Sequence, residues 1–298
     1  MRIFLTGATG FIGSRIVPEL IAAGHHVLGM TRSDSGARAL QAAGADVHRG
    51  ELEDLESLRA GAAQADAVIH TAFDHNFANF VANCEKDQRA IRALGSALIG
   101  SDRPLLITSG TGIGSPGHGE LAREDVFNAA HPNPRTLTEI TGNELLDKGV
   151  AVSVVRLPQV HDPVKQGLIT PLLDIIRAKG VSAYVGDGQN RWPAAHVLDV
   201  ARLYRLAIEQ CKPGTRYNAV AEEGITARAI AEALGEGLGI PVKSIDASES
   251  AAYFGWMSAF MSMDLSASSA WTRQALGWNP AGPTLLEDLR RMDYSVAA

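Results

Sequence analysis

Apolar and polar positions alternate along the first half of the chain in short blocks, which predict a repeating order of strand and helix. Apolar or β-branched runs predict the strands, and apolar positions spaced three and four residues apart predict the helices. Strands are predicted at residues 3–5, 26–30, 46–48, 67–70, 104–108 and 151–156. Helices are predicted at residues 11–23, 35–43, 54–62 (with Asp54 as N-cap), 77–99 and 136–148. This order is typical of a doubly wound parallel α/β sheet (a Rossmann fold), which binds ligands at the carboxyl ends of its strands.

The second half is less regular. Helices are predicted at residues 165–179, 197–210, 226–238, 248–261 and 268–276, with one strand at 217–220. No clear linker separates the halves, so we predict two parts that pack directly on each other. Residues 1–160 and 196–220 would form a nucleotide-binding domain. Residues 161–195 and 221–298 would form a smaller, mainly helical substrate domain.

The first strand leads into a glycine-rich turn, Thr6-Gly-Ala-Thr-Gly-Phe-Ile-Gly13. Glycines at such a strand-to-helix turn let the backbone approach a pyrophosphate, which then lies on the amides and positive dipole of the next helix. An ordinary turn made of small residues is the alternative, but the apolar strand before and the amphipathic run after match the context that the motif requires. We therefore predict that a dinucleotide contacts Gly7, Thr9, Gly10, Phe11, Ile12 and Gly13.

Composition narrows the class of protein. The 298 residues carry a net charge of −6, which does not favour binding to nucleic acid or to an anionic membrane surface. Two cysteines, Cys84 and Cys211, form no motif and suggest reduced thiols. No apolar run approaches the roughly 20 residues of a membrane span, and the N-terminus does not have the pattern of a signal peptide. We expect a cytoplasmic enzyme with a small-molecule substrate.

Several segments together resemble the extended short-chain dehydrogenase/reductases of the NAD-dependent epimerase/dehydratase family. They occur in the family's order over nearly the whole chain. The segments are Thr6–Gly13, Gly50-Glu-Leu-Glu-Asp54, Val68-Ile-His-Thr-Ala72, Leu106-Ile-Thr-Ser-Gly-Thr111, Val155-Arg-Leu-Pro158, Gly186-Asp-Gly-Gln-Asn-Arg-Trp192, His196-Val-Leu-Asp199 and Leu276-Gly-Trp-Asn-Pro280. The resemblance implies a Rossmann fold and a bound nicotinamide dinucleotide.

The resemblance also implies which residues meet the cofactor. After strand two, the family uses an acidic residue for NAD and a basic one for NADP, and this chain has Arg32 and Ser33 there. We therefore expect NADP(H) rather than NAD(H); the alternative is that Arg32 is a solvated loop charge. Glu51 and Leu52 match positions that flank the adenine. Thr71, Ala72, Phe73 and Pro158 match positions along the pyrophosphate and ribose, although Phe73 is equally compatible with the core.

The catalytic positions depart from the family's pattern. Ser109 matches the catalytic hydroxyl after strand five, with Thr111 two residues later. The family then has Tyr and Lys four residues apart, but Thr136 and Ile140 stand at those positions. None of the six lysines, at 86, 148, 165, 179, 212 and 243, has Tyr four residues before it. The resemblance is therefore to an atypical branch that lacks the Tyr-x-x-x-Lys pair.

Other residues are candidates to replace the pair. Arg135 and Glu139 could face the cofactor or form an i,i+4 ion pair with each other. His75 and His161 follow strands four and six and titrate near neutrality, so each could donate a proton or be a satisfied loop histidine. His131 is a weaker candidate, and His70 is predicted to be buried structure. We predict no metal site, since the spacing of His and acidic residues forms no ligand pattern.

Evidence on the substrate is thinner. In sugar-nucleotide members of the family, the arginine that matches Arg191 holds a phosphate, but an ion pair between Arg191 and Asp199 is the alternative. Several apolar residues suit a hydrophobic or aromatic carbonyl compound, or else belong to the core: Tyr184, Trp192, Phe254, Trp256, Met257 and Met261. We expect an NADP(H)-dependent oxidoreductase of a small organic carbonyl or alcohol, with a non-standard proton donor. The alternatives are a sugar-nucleotide epimerase or dehydratase and a non-catalytic NADP-binding sensor. We also expect a homodimer that pairs through helices 77–99 and 136–148.

Overall fold

A seven-stranded parallel sheet forms the centre of the computed structural model, which describes residues 1–117 and 119–295. Its strands are β1 (Arg2–Thr6), β2 (His26–Thr31), β3 (Asp46–Arg49), β4 (Ala67–His70), β5 (Pro104–Gly110), β6 (Ala151–Leu157) and β10 (Arg216–Asn218). Their order is β10-β6-β5-β4-β1-β2-β3, and all neighbours are parallel. Strands β2 and β3 are added on one side of β1, and β4, β5 and β6 on the other, so the strand order reverses between β1 and β4, where doubly wound folds bind their ligands.

Helices cover both faces of this sheet. They are α1 (Gly13–Ala22), α2 (Asp34–Ala42), α3 (Leu55–Ala63), α4 (Phe80–Ser96), α5 (Thr136–Leu146) and α7 (Val197–Gln210). Ile3 and Leu5 point to the face covered by α1 and α7, whereas Phe4 points to the face covered by α3, α4 and α5. Successive strand residues point to opposite faces, so a continuous apolar strand is buried by helices on both sides. The predicted doubly wound parallel sheet is confirmed.

The C-terminal region contributes further helices around a separate apolar core. They are α6 (Ile169–Lys179), α8 (Ala227–Leu238), α9 (Ser250–Phe254), α10 (Ser258–Met261) and α12 (Leu285–Arg291). Helix α11 (Ala270–Leu276) packs instead against α7 and the core of the large sheet. The region also carries two small sheets that the pattern did not predict, β11-β9-β7 and β12-β8. Their strands are β7 (Gln159–His161), β8 (Ser182–Val185), β9 (Arg191–His196), β11 (Glu222–Thr226) and β12 (Val242–Ile245). Strands this short carry too little alternation to be recognised locally.

Several predicted boundaries change in the structure. The helix expected from residue 77 begins with a 3-10 turn, Phe77–Asn79, before α4. The helix expected at residues 248–261 is divided between α9 and α10, because Gly255 has a φ of 56° and interrupts the helical backbone. The helix expected from residue 165 begins at Ile169, since the Asp162 carboxylate first accepts from the amides of Val164 and Lys165. Helix α12 was missed.

Asp54 is the N-cap of α3, as predicted, and its carboxylate accepts a hydrogen bond of 3.0 Å from the amide of Ser57. No described helix combines the length and apolar character that crossing a bilayer requires. Residues 296–298, which the sequence assigns to the substrate domain, lie outside the described residues.

Candidate active site

The glycine-rich turn between β1 and α1 has the geometry of a phosphate-binding turn. Gly7 has a φ of 69°, and a Cβ atom on it would lie 2.7 Å from the amide nitrogen of Ala72. A Cβ on Gly13 would overlap the carbonyl oxygen of Gly7, so this close approach requires glycine at both positions. In the described chain the amides of Phe11 and Ile12 have no backbone acceptor. Free amides at a helix start fit the pyrophosphate of a dinucleotide.

The turn between β2 and α2 lies beside the position expected for the adenosine ribose. The Ser33 hydroxyl caps α2 by accepting a 3.0 Å hydrogen bond from the amide of Gly36. Arg32 is exposed, and its guanidinium makes no ion pair with another described residue. The carboxylate of Asp34 is paired with Arg49. The charge presented at this turn is therefore positive. Glu51 and Leu52 follow β3, where Glu51 is exposed and Leu52 packs partly against the core.

The segment after β4 is tied to β1. The Thr71 hydroxyl donates to the carbonyl oxygen of Thr6 at 2.8 Å, and the amide of Ala72 donates to the Thr6 hydroxyl at 3.3 Å. Phe73 is only partly buried, and the Arg135 guanidinium carbon lies 4.0 Å from its ring centroid. This cation–π contact joins the end of β4 to the start of α5. Pro158, which is also partly buried, separates β6 from β7.

Ser109 is the most distinctive residue at the end of β5. Its side chain is 4% exposed, and its hydroxyl oxygen has no hydrogen-bond partner among the described residues. Buried hydroxyls nearly always have a partner in folded proteins, so an unpaired one at a ligand-binding edge indicates a position that a ligand completes. Thr111, also buried, opens the 3-10 turn Thr111–Gly114 directly after the strand.

The Thr136 hydroxyl already donates a hydrogen bond within the protein. Thr136 opens α5 and donates to the carbonyl oxygen of Asn133 at 2.5 Å. Ile140, one turn later, is partly buried and offers no polar atom. Neither side chain supplies the proton transfer or ribose contact that the family's Tyr and Lys provide.

Arg135 is held in place by a contact with the end of β5 and a contact with the middle of α4. Its Nη2 donates to the carbonyl oxygen of Thr108 at 2.7 Å, next to Ser109. Its Nη1 lies 2.8 Å from Oδ2 of Asp87, an ion-pair contact without hydrogen-bond alignment. The guanidinium is thus engaged by Asp87 on one side and by the carbonyl oxygen of Thr108, the residue before Ser109, on the other. Arg135 and the unpaired hydroxyl of Ser109 therefore lie at the same end of β5.

Asp87 anchors this arginine from α4. Its carboxylate accepts from the Thr138 hydroxyl at 2.7 Å and from His70 Nε2 at 3.1 Å. Nδ1 of a neutral His70 ring then accepts from Thr6 Oγ1 at 2.7 Å. Burial alone raises the pKa of Asp87, but the charge of Arg135 and the bonds from His70 and Thr138 outweigh it and hold that pKa below its usual value. His70 is buried, as predicted.

Asp87 was not identified from the sequence. A signal did exist, because Asp87 shares the buried stripe of α4 with Cys84, Ile91 and Leu94 at helical spacing. A carboxylate in such a stripe requires a buried partner. The pattern could have identified Asp87 as paired without naming Arg135 as its partner.

The interpretation that Arg135 and Glu139 pair with each other is wrong. Glu139 is fully buried and accepts from Arg156 at 2.7 and 2.8 Å, and from Arg216 Nε at 2.7 Å. Burial raises the pKa of Glu139, but the hydrogen bonds from Arg156 and Arg216 outweigh it and keep the pKa below its ordinary value. Both carboxylate oxygens therefore accept hydrogen bonds from arginines, and the carboxylate stays ionised. Glu139 is poorly suited to exchange a proton with a substrate.

The candidate histidines have different environments. His161 is buried in β7, and its Nδ1 lies 2.7 Å from Oδ2 of Asp288 on α12. His75 is exposed as a whole, but its ring packs edge-on against Phe73 at 5.5 Å and Phe77 at 6.0 Å. Desolvation by this packing, followed by the charge of Arg135, lowers the pKa of His75 below that of a free histidine. Of these two histidines, His75 is the one that contacts Phe73, whose ring also carries the guanidinium of Arg135.

His131 has a local structural role. Its Nδ1 accepts from the amide of Asn133 at 3.1 Å, in the loop that leads into α5. Desolvation lowers its pKa. This bond makes His131 a turn-stabilising residue.

Arg191 pairs with Asp264 at 3.3 Å, so the alternative interpretation, an ion pair between Arg191 and Asp199, is wrong. Asp199 instead accepts from the amides of Ala281 and Gly282. Trp192, Phe254, Met257 and Met261 belong to the C-terminal core, and Tyr184 is partly buried. Trp256 differs from these residues, since it is 43% exposed and stacks on Phe77 from the β4–α4 segment.

Comparisons with known proteins agree with this architecture. The sequence profile of the NAD dependent epimerase/dehydratase family matches residues 3–220. Uncharacterized proteins of Schizosaccharomyces pombe and Saccharomyces cerevisiae are 46% and 42% identical, each over 99% of this chain and 100% of the relative. A 2-alkyl-3-oxoalkanoate reductase of Stenotrophomonas maltophilia is 27% identical over 72% of this chain and 67% of its own. The structure of a Thermus thermophilus UDP-glucose 4-epimerase in complex with NAD superposes with a TM-score of 0.73 at 22% identity, over 98% of this chain and 97% of that one.

Proposed function

The chain belongs to the NAD dependent epimerase/dehydratase family, and we propose that it is an NADP(H)-dependent oxidoreductase that interconverts a small organic carbonyl compound and its alcohol. The observation that carries this proposal is the buried, unpaired hydroxyl of Ser109 at the carboxyl end of β5. In a site of this kind, such a hydroxyl donates to the oxygen of a bound carbonyl group.

Two features support a phosphorylated cofactor. Arg32 and Ser33 stand at the turn after β2, and the nearest carboxylate, Asp34, is neutralised by Arg49. A guanidinium matches the geometry and charge of a 2′-phosphate, whereas the two ribose hydroxyls of NAD are usually met by a free acid. The glycine turn and the amides of Phe11 and Ile12 would hold the pyrophosphate.

The residues at the end of β5 can perform the polar part of the reaction. A bound nicotinamide supplies or accepts the hydride. The Ser109 hydroxyl donates to the carbonyl oxygen, and the fixed charge of Arg135 stabilises the negative charge that develops there. His75, beside Phe73, gives the proton that completes the alcohol, and in the reverse direction it takes that proton back.

Oxidoreduction fits this site better than sugar-nucleotide epimerisation. Thr136 and Ile140 provide no acid–base dyad, on which the epimerase and dehydratase steps depend. Arg191, which would meet a substrate phosphate in that reading, is paired with Asp264. The reductase named among the relatives acts on an oxoalkanoate, a carbonyl substrate of the proposed class.

The proposal is tested by following NADPH oxidation with a panel of aldehydes and ketones. Ser109→Ala should lower turnover about 10²-fold or more, while NADPH affinity stays nearly unchanged. The control is Ser115→Ala in the following loop, where the hydroxyl already donates to Gly117 and activity should persist. Full activity in Ser109→Ala would refute the role of Ser109. Tight NADPH binding without turnover of any carbonyl would favour a sensor instead.

A further inference from the structure

Six rings meet where the β4–α4 segment faces the C-terminal region: Phe73, His75, Phe77, Phe80, Trp256 and Phe260, here termed the ring cluster. Phe77 and Trp256 are stacked, with centroids 4.7 Å apart and planes at 9°. Phe80 contacts Phe73 at 6.2 Å and Phe77 at 5.7 Å, and Phe260 meets Trp256 edge-on at 6.2 Å. Rings from sequence-distant segments therefore form one continuous aromatic surface.

Apart from Phe260, which packs against the C-terminal core, the rings of the cluster belong to none of the apolar cores. All of its members are partly or largely exposed, whereas Phe4, Tyr204, Phe254 and Trp278 are fully buried. Trp256 lies in the 3-10 turn Gly255–Met257. The last residue of this turn, Met257, is buried and anchors the turn to the C-terminal core. A contiguous exposed aromatic patch on an anchored backbone is unfavourable in water unless it binds something.

The ring cluster reaches the reacting end of β5. Phe73 carries the guanidinium of Arg135 at 4.0 Å, and Arg135 donates to the carbonyl oxygen of Thr108, the residue before Ser109. A molecule whose carbonyl oxygen meets Ser109 would therefore extend its remaining atoms along these rings. Apolar walls with a few placed donors are typical of small-molecule sites.

Two arginines beside the ring cluster are already engaged by carboxylates. Arg135 is paired with Asp87, and Arg191 is paired with Asp264. Lys165 lies over the ring of Phe11 at 5.9 Å, and its charge also contributes to the lowered pKa of His75. A phosphate or carboxylate on the substrate would find these two arginines already engaged, whereas a flat ring matches the parallel planes of Phe77 and Trp256.

We propose that the substrate carries an aromatic ring and that this ring stacks on Trp256 in place of, or next to, Phe77. The inference rests on the proposed function and names the substrate class for the same site. Trp256 is then the specificity-determining residue, and Ser109 acts on a carbonyl group attached to the ring.

The test uses the full chain with NADPH and two aldehydes that share the same carbonyl electronics, phenylacetaldehyde and cyclohexylacetaldehyde. The aromatic aldehyde should have a KM about 2- to 10-fold lower, the size of an aromatic pairing preference. Trp256→Leu should remove this difference. The control is Trp271→Leu, because Trp271 is the other exposed tryptophan and stacks on Tyr217 instead.

A binding measurement separates the two proposals. Phenylacetamide and cyclohexylacetamide, which are not reduced, are titrated calorimetrically into the NADP⁺-loaded protein and into both variants. Equal KM values together with equal amide affinities would overturn the ring site without contradicting the oxidoreductase function. A preference for the aromatic compounds that survives Trp256→Leu would do the same. Preferential binding of phenylacetamide without turnover of either aldehyde would confirm the ring site and overturn the proposed function.

Discussion

Glu139 on α5 and Arg156 on β6 form a fully buried ion pair, with donor–acceptor distances of 2.7 and 2.8 Å. Arg156 also donates to the carbonyl oxygens of Arg123 and Val126, so the pair fastens the loop before α5 to the sheet. That loop leads to Arg135. The pair therefore supports the position of Arg135 without contacting the candidate substrate site.

We predict that Glu139→Gln lowers the free energy of unfolding by about 3–5 kcal/mol, because it leaves the buried charge of Arg156 without its partner. Urea unfolding measures the change. The matched control is Glu144→Gln on the same helix, whose pair with Arg92 is exposed and should contribute less than about 1 kcal/mol. Equal effects of the two substitutions would contradict the structural role of Glu139.

The same pair predicts a pH dependence of stability. The pKa of Glu139 is lowered in the folded protein, so its contribution is fully present above its unfolded value, near 4.5, and is lost as pH falls through the folded pKa. The difference in unfolding free energy between wild type and Glu139→Gln should be constant above pH 4.5 and shrink below it. A difference that grows on acidification would have the wrong sign.

Arg32 should determine cofactor preference. A contact between Arg32 and a 2′-phosphate would be a charge-assisted hydrogen bond of about 1.5–3 kcal/mol, so we predict that NADPH binds roughly one to two decades more tightly than NADH. Calorimetric titration of both cofactors checks this, and Arg32→Ala should remove most of the preference. Arg59→Ala on α3, which is paired with Glu56, should leave it unchanged. An affinity for NADH that equals or exceeds the affinity for NADPH would contradict the prediction.

His75 should govern the pH profile of carbonyl reduction. Reduction needs the protonated imidazole, and desolvation with the nearby Arg135 lowers the pKa of His75 below 6.5. We therefore expect kcat/KM for reduction to fall as pH rises through this lowered pKa. His75→Asn should abolish that fall, and His131→Asn should retain it. An unchanged profile in His75→Asn would show that another group supplies the proton.

We also predict a homodimer that pairs through α4 and α5. These helices pack side by side, and α4 exposes Val81 to 58% together with a mixed charged surface. Pairing would remove Val81 from water, which favours association. Light scattering at micromolar concentration should report twice 31.6 kDa. A single 31.6 kDa species would refute the dimer.

Local sequence determined the parallel sheet and its first turn. Ile3, Phe4 and Leu5 have the continuous apolar run of a strand buried on both faces, and Gly13 is required by its contact with Gly7 within the turn itself. The cap at Asp54 is equally local, since it involves the amide of Ser57. Features of this kind depend on neighbours a few residues away, which the sequence displays directly.

Tertiary structure decided which polar groups meet. Arg135 and Glu139 are one helical turn apart, yet Arg135 pairs with Asp87 of α4 and Glu139 with Arg156 of β6. The pairing of His161 with Asp288, and the stack of Phe77 on Trp256, likewise join segments far apart in the chain. Spacing along a helix only limits which partners are within reach. The partner is set by whichever element the fold packs alongside, because a charge that the fold buries must be paired there, and leaving it unpaired costs about 3–5 kcal/mol.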